Sequence, residues 1–149
     1  NAILTAAQGP VYSAAGDLNG DGKTDLVVGA GTLQLYLGNG DGTFQLPQSI
    51  YPNYGPIQIA DVDGDGKLDV ISSDDFANLI ALRGDGQGNF HPPKTISIGS
   101  QFVFDFVLRD LNGDGLPELI ASNGAAIAVL YNTSSRKSTS SILPPLRLE

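Results

Sequence analysis

Three stretches of this chain are nearly the same nine residues: DLNGDGKTD over 17–25, DVDGDGKLD over 61–69 and DLNGDGLPE over 110–118. Each places a carboxylate or amide oxygen at positions one, three, five and nine, and glycine at four and six. Oxygen donors at alternate positions, with glycines that let the backbone curl inward, are what a hard cation such as Ca²⁺ requires. The first residues of the three stretches, Asp17, Asp61 and Asp110, lie 44 and 49 residues apart. A motif recurring at that period belongs to a structural repeat.

The flanking sequence repeats with the loops. An apolar run precedes each one (11–15, 57–60, 102–108), and a β-rich run follows directly (26–28, 68–71, 119–121). A third strand-like run comes next (33–37, 79–82, 126–131), then in two repeats a glycine-rich hairpin, GNGDGTF over 38–44 and GDGQGNF over 84–90. Asn-Gly and Asp-Gly pairs supply the positive φ of tight hairpins. Proline-interrupted segments at 45–51 and 93–98 suit edge strands, whose outer N–H has no ladder partner. The pattern predicts an all-β fold of three four-stranded antiparallel propeller blades, over about 10–51, 54–98 and 101–148, with each acidic loop joining strands one and two. Residues 3–7 read as a strand of a preceding or closing blade, within a leading segment 1–8. Residues 142–148 read as the fourth strand of blade three, and TSSRKSTSS at 133–141 as a flexible Ser/Thr-rich loop. Propellers close with four to eight blades. Three blades therefore predict a partial propeller: either part of a longer array, or half of a six-bladed ring formed by two copies.

The bulk composition agrees. A chain of 149 residues with 41% hydrophobic content can bury a core. Its formal charge is −8, and ten of its sixteen acidic residues are ligand positions of the loops. Three bound Ca²⁺ would offset six of those eight charges, so the acidity reads as a metal inventory. With no basic stripe to neutralise phosphates, nucleic acid is excluded as a partner. There is no Cys, hence no disulfide or thiolate site. No apolar stretch is long enough to insert in a membrane, and no signal-peptide pattern is read. There is also no Met, so the chain is expected to be a processed product or a piece of something longer.

The expected ligands are Asp17, Asn19, Asp21 and Asp25 in the first loop, with the Lys23 backbone carbonyl. In the second they are Asp61, Asp63, Asp65 and Asp69 with the Lys67 carbonyl, and in the third Asp110, Asn112, Asp114 and Glu118 with the Leu116 carbonyl. If the ninth residue binds through both oxygens, six ligands are met without water. The second loop, with four carboxylates, is expected to bind tightest. A helix–loop–helix calcium site shares positions one, three and five but demands a bidentate Glu at twelve. Position twelve here is Val28, Ser72 and Ala121, and the flanks are β-type, so a sensor of that kind is rejected. Weak, unregulated calcium sites fill where calcium is millimolar, so the chain is expected outside the cell or at its surface.

These nonapeptides, with LGNGDGTF after the first, resemble the FG-GAP and VCBS-type repeats that build the β-propeller of integrin α-subunits and of many secreted bacterial proteins. The likeness covers the chain up to about residue 133. It implies structural calcium in all three loops. Two departures stand out: the third loop ends Pro117-Glu118, and no glycine-rich hairpin follows it. The family shares a fold and not one activity.

Other features have plainer readings beside sharper ones. Arg83-Gly84-Asp85 spells an adhesion tripeptide but sits in a hairpin that accounts for it. His91, the only His, lacks a catalytic partner and reads as a surface residue. Asn132-Thr133-Ser134 is a glycosylation sequon. Asp105 and Arg109 read as a salt-bridged strand surface, with a channel-lining ligand site as the alternative. Phe102, Phe104 and Phe106 read as core between blades. No nucleophile–base pair is found, and carboxylates outside the loops are few: Asp41, Asp74, Asp75, Asp85, Asp105 and Glu149. The expected function is a non-enzymatic, calcium-stabilised extracellular module for binding protein or carbohydrate, or for adhesion. The alternatives are the propeller portion of a secreted polysaccharide-acting enzyme and a purely structural module that assembles with itself.

Overall fold

The computed structural model describes residues 12–53, 55–73, 78–98, 103–122 and 126–134, and the backbone of 147–148. Among these residues there is no helix. Twelve strands form three four-stranded antiparallel sheets, each with its strands side by side in chain order. The first contains β1 (Tyr12–Gly16), β2 (Asp25–Gly29), β3 (Gly31–Tyr36) and β4 (Gln48–Asn53). The second contains β5 (Ile57–Ala60), β6 (Asp69–Ser73), β7 (Asn78–Leu82) and β8 (Lys94–Ser97). The third contains β9 (Asp105–Arg109), β10 (Glu118–Ser122), β11 (Ile127–Tyr131) and β12 (Arg147–Leu148). These are propeller blades. Pro52 lies on β4, an edge strand, where its missing N–H costs no ladder bond. Of the expected fourth strand of blade three, Arg147 and Leu148 pair with β11. Its earlier part, the strand at 3–7 and most of the loop at 133–141 lie outside the described residues.

The registers make the repeats superimposable position by position. Leu26 pairs with Tyr36, Val70 with Leu82 and Leu119 with Leu130. Side chains alternate between faces along a strand, so each sheet has two faces to cover. One face of sheet one (Leu18, Val27, Leu33, Leu35) packs against Ile57, Val70 and Leu82 of sheet two. The opposite face of sheet two (Val62, Ile71, Leu79, Ala81) packs against Phe106, Leu119, Ala121 and Leu130 of sheet three. The middle sheet is covered on both faces, which is why β6 is buried throughout. The first strands of successive sheets lie beside one another, β1 by β5 and β5 by β9, as the inner strands of neighbouring blades do.

Two expectations about blade three change. Phe106 is buried in the second core, but Phe104 is two-thirds exposed, because it precedes β9 and has no sheet to lie on. Phe102 lies outside the described residues. Asp105 and Arg109 form no ion pair among the described residues. They occupy opposite ends of β9, and four residues of extended chain separate them by about 13 Å.

Candidate metal centre

The three acidic loops share one hydrogen-bond plan. The first carboxylate gathers the backbone of its own turn: Gly20 N–H donates to Asp17 Oδ1 at 2.8 Å and Gly22 N–H to Oδ2 at 2.8 Å. Gly64 and Gly66 do the same to Asp61, and Gly113 and Gly115 to Asp110, all within 2.7–2.9 Å. Each of these glycines has φ between +74° and +85°, the left-handed region that side chains resist. Positions three and five each accept the N–H two residues on, as in Asp65 Oδ1 from Lys67 N at 2.9 Å. The turn thus points successive side-chain oxygens toward one centre.

In the second loop Asp61, Asp63 and Asp65 each bring one carboxylate oxygen within 4.8 Å of the others. Three anionic oxygens that close repel one another unless a cation sits among them, and a hard dication fits that donor set. Asp63 is nearly buried, and burial, followed by the Asp65 charge, pushes its carboxyl up. Arg83 answers part of this: its Nη1 lies 3.0 Å from Asp63 Oδ2. That contact bears on the expectation that loop two binds tightest, because a resident cation already rests on one of its four carboxylates. In loops one and three the third position is Asn19 or Asn112, so the same crowding of charge does not arise. Lys23 and Lys67 turn back onto Asp21 and Asp65, at 3.3 and 3.8 Å. The matching Leu116 is buried instead.

The ninth position behaves differently from the other ligand positions. Asp25 and Asp69 are fully buried, and both oxygens of each accept backbone N–H groups. Asp25 Oδ2 takes Leu18 N at 2.9 Å and Oδ1 takes Gly38 N at 2.8 Å. Asp69 repeats this with Val62 N and Gly84 N, both at 2.9 Å. The carboxylate is therefore a clamp between the loop and the hairpin after strand three, and it stands outside the cluster of Asp61, Asp63 and Asp65. Each oxygen keeps a second lone pair, so clamping and metal ligation are compatible. Burial pushes the Asp69 carboxyl up to about 7, against the pull of its two N–H donors.

In blade three, Glu118 replaces the aspartate, and its Oε2 still takes the N–H of position two, Leu111, at 2.7 Å. Its Oε1 takes Asn112 Nδ2 at 3.3 Å. By register, Asn132 stands where Gly38 and Gly84 stand in the other blades. Its buried Nδ2 donates to Val62 O at 2.7 Å and to Pro117 O at 3.2 Å. The two departures noticed in sequence are one local change: with no glycine there, the longer acid serves the loop and the asparagine bridges to blade two. This also decides the sequon, because the amide a glycan would need is buried and engaged. The tripeptide at 83–85 is similarly occupied. Arg83 faces Asp63, and Asp85 caps its own hairpin through Gln87 N, Asn89 N and Asn89 Nδ2.

A second feature was not legible in sequence. Between β4 and the hairpin of blade two lies a groove of about 380 Å³, lined among others by Gln48, Ser49, Tyr51, Asn89, Phe90 and His91. Its residues come from two repeats, so no single motif announces it. The lone histidine is exposed on its wall.

Comparison with known proteins bears on the fold and the loops together. No curated protein matches the chain. Among solved structures, an Agrocybe aegerita lectin, described as recognising non-reducing terminal N-acetylglucosamine, superimposes with a TM-score of 0.64 at 23% identity. The match covers 93% of this chain and 37% of that one, so this chain spans little more than a third of the lectin's length. The FG-GAP-like repeat matches twice, over 17–72 and 61–121, each match running from one acidic loop into or past the next. The loops, the blades and this double match place the chain in the FG-GAP-like repeat family.

Proposed function

We propose that this chain is a calcium-stabilised, extracellular propeller module that binds carbohydrate and carries no catalytic activity of its own. The observation that carries the calcium reading is the convergence of the Asp61, Asp63 and Asp65 oxygens within 4.8 Å. Calcium at each loop would neutralise the cluster and lock the turn between strands one and two. Binding without regulation suits the millimolar calcium outside cells.

The carbohydrate reading rests on the groove between blades one and two. Tyr51, Phe90 and His91 offer ring faces, and Gln48, Ser49 and Asn89 offer amide and hydroxyl groups at its walls. Aromatic faces with a few polar groups suit a sugar, whose ring has an apolar side and a polar rim. The similarity to a lectin that recognises terminal N-acetylglucosamine makes that sugar the first to try. Binding is favoured over catalysis because the free carboxylates serve local structure. Asp41 accepts from Thr43 N and Oγ1, Asp85 from its hairpin, and Asp105 from Phe106 N.

The test is titration of the chain with N-acetylglucosamine-terminated oligosaccharide in calcium buffer. Saturable binding that is lost in Tyr51→Ala and weakened by chelation supports the reading. No binding to this sugar or across a glycan array refutes the carbohydrate half. The calcium half stands or falls separately, on a direct calcium titration.

A further inference from the structure

The repeats present equivalent residues, but the last face is bare. At loop position two, Leu18 is 1% exposed and Val62 6%, whereas Leu111 is 49% exposed. In strand three the register aligns Leu33, Leu79 and Ile127, which are 0%, 0% and 73% exposed. Tyr131 on the same face is also exposed. In blades one and two this face covers the next sheet. The backbone follows the same rule. Leu18 O accepts Gly88 N from blade two at 3.1 Å, and Val62 O accepts Asn132 Nδ2 from blade three. Among the described residues no donor reaches Leu111 O.

The chain also carries a matching counter-face. By register Leu26, Val28 and Tyr36 of sheet one stand where Val70, Ser72 and Leu82 of sheet two meet blade one. Gly42 corresponds to Gly88, with φ of +87° against +82°. No atom lies within 4 Å of the Cβ position of Gly42, so its N–H is open to a neighbour.

We propose that the bare face of sheet three docks on sheet one of a second copy of this chain, head to tail. Leu111, Ile127 and Tyr131 would be covered, and the copy's Gly42 would donate to Leu111 O. The seam is weaker than those within the chain, because Gln34 replaces the Ile80 of sheet two, and Val28 and Tyr36 are already covered. Association is therefore concentration-dependent.

Sedimentation velocity over a concentration series in calcium tests this. The mass rises from the 15.5 kDa of one chain toward two copies or more, since a head-to-tail contact can also propagate. Ile127→Asp abolishes the rise, and so does Gln34→Arg on the opposite face. Leu46→Asp, at an exposed residue off both faces, leaves it intact. Both face residues lie on the surface of the single chain, and unchanged circular dichroism verifies that each variant folds. Mixing Ile127→Asp with Gln34→Arg restores association, because one intact pair of faces remains. The proposal is overturned by a constant 15.5 kDa mass, by association insensitive to Ile127→Asp, or by failure of the mixture to associate.

Discussion

Replacing Gly84 by Ala tests whether the ninth carboxylate clamps loop to hairpin. A Cβ on Gly84 would lie 2.2 Å from the Leu68 carbonyl oxygen and 3.3 Å from its carbon, where real Cβ contacts stay beyond 3.0 Å. The obstacle is backbone, so it cannot rotate aside, and the hairpin must retreat from the loop. Retreat breaks the 2.9 Å bond from Gly84 N to Asp69 Oδ1 and leaves a buried carboxyl with one donor fewer. Overpacking costs about 1–3 kcal/mol and the loss of a hydrogen bond to a charged group about 1.5–3, so roughly 3–5 kcal/mol is expected. For a chain of this length that lowers the melting temperature by about 10 °C. Gly42→Ala is the internal control. That glycine has φ of +87° and open space around it, so only left-handed strain of about 1–2 kcal/mol applies. Thermal unfolding by circular dichroism in excess calcium reads both. If Gly84→Ala melts with Gly42→Ala or above it, the clamp does not hold the hairpin and the steric argument fails.

Other perturbations separate the remaining contributions. Chelation should lower the melting temperature, since each site held at a hundredfold over its Kd adds about 2.7 kcal/mol; an unchanged transition would remove calcium from the account. Arg83→Ala should lower the stability of the metal-free protein, because it strands the buried Asp63, and should raise calcium affinity by removing a competing cation; calorimetric titration and melting read the two signs together. With its folded pKa raised to about 7, Asp69 gives the metal-free protein stability that is full below the unfolded pKa of about 4 and is lost as pH rises to 7. Melting temperatures between pH 4 and 7 in chelator should therefore fall with pH, and less so in Asp69→Asn. Leu18→Ala should cost about 2–5 kcal/mol in urea unfolding, whereas the equivalent Leu111→Ala in the single chain should cost well under half of that.

The fold was legible because two periodicities coincide in this sequence. The acidic nonapeptides fix where strand one ends and strand two begins, and alternating apolar residues fix the strands on either side. Glycine at positions four and six announces left-handed turns with no tertiary information. The role of position nine was not legible in the same way. An aspartate at the end of an oxygen-rich loop reads as a ligand, and only burial and register reveal that Leu18 N–H and Gly38 N–H both need it. Arg83 was likewise read with its neighbours in the hairpin, while its partner Asp63 is twenty residues away and across a sheet. The groove at Tyr51 and Asn89 draws on two repeats, and contacts between repeats carry no short-range signature.

Blade three carries this reasoning furthest. Its sequence departs from the pattern twice, at Glu118 and at Asn132, and each departure alone reads as decay of a repeat. Together they preserve what the pattern does. Position nine still holds the N–H of position two, and the residue after strand three still donates to its surroundings, through a side-chain amide in place of a backbone one. The backbone donor Gly88 N and the side-chain donor Asn132 Nδ2 perform one task, satisfying the position-two carbonyl of the preceding blade. Asn132→Asp would bring a carboxylate against the carbonyls of Val62 and Pro117. It should destabilise the chain by about 2–4 kcal/mol, the cost of two buried acceptors losing their donor. The effect should appear as loosening of blade three from blade two, read as faster amide exchange in β10 and β11 than in β2 and β3. Uniform exchange across all three sheets would mean that the asparagine does not carry the junction.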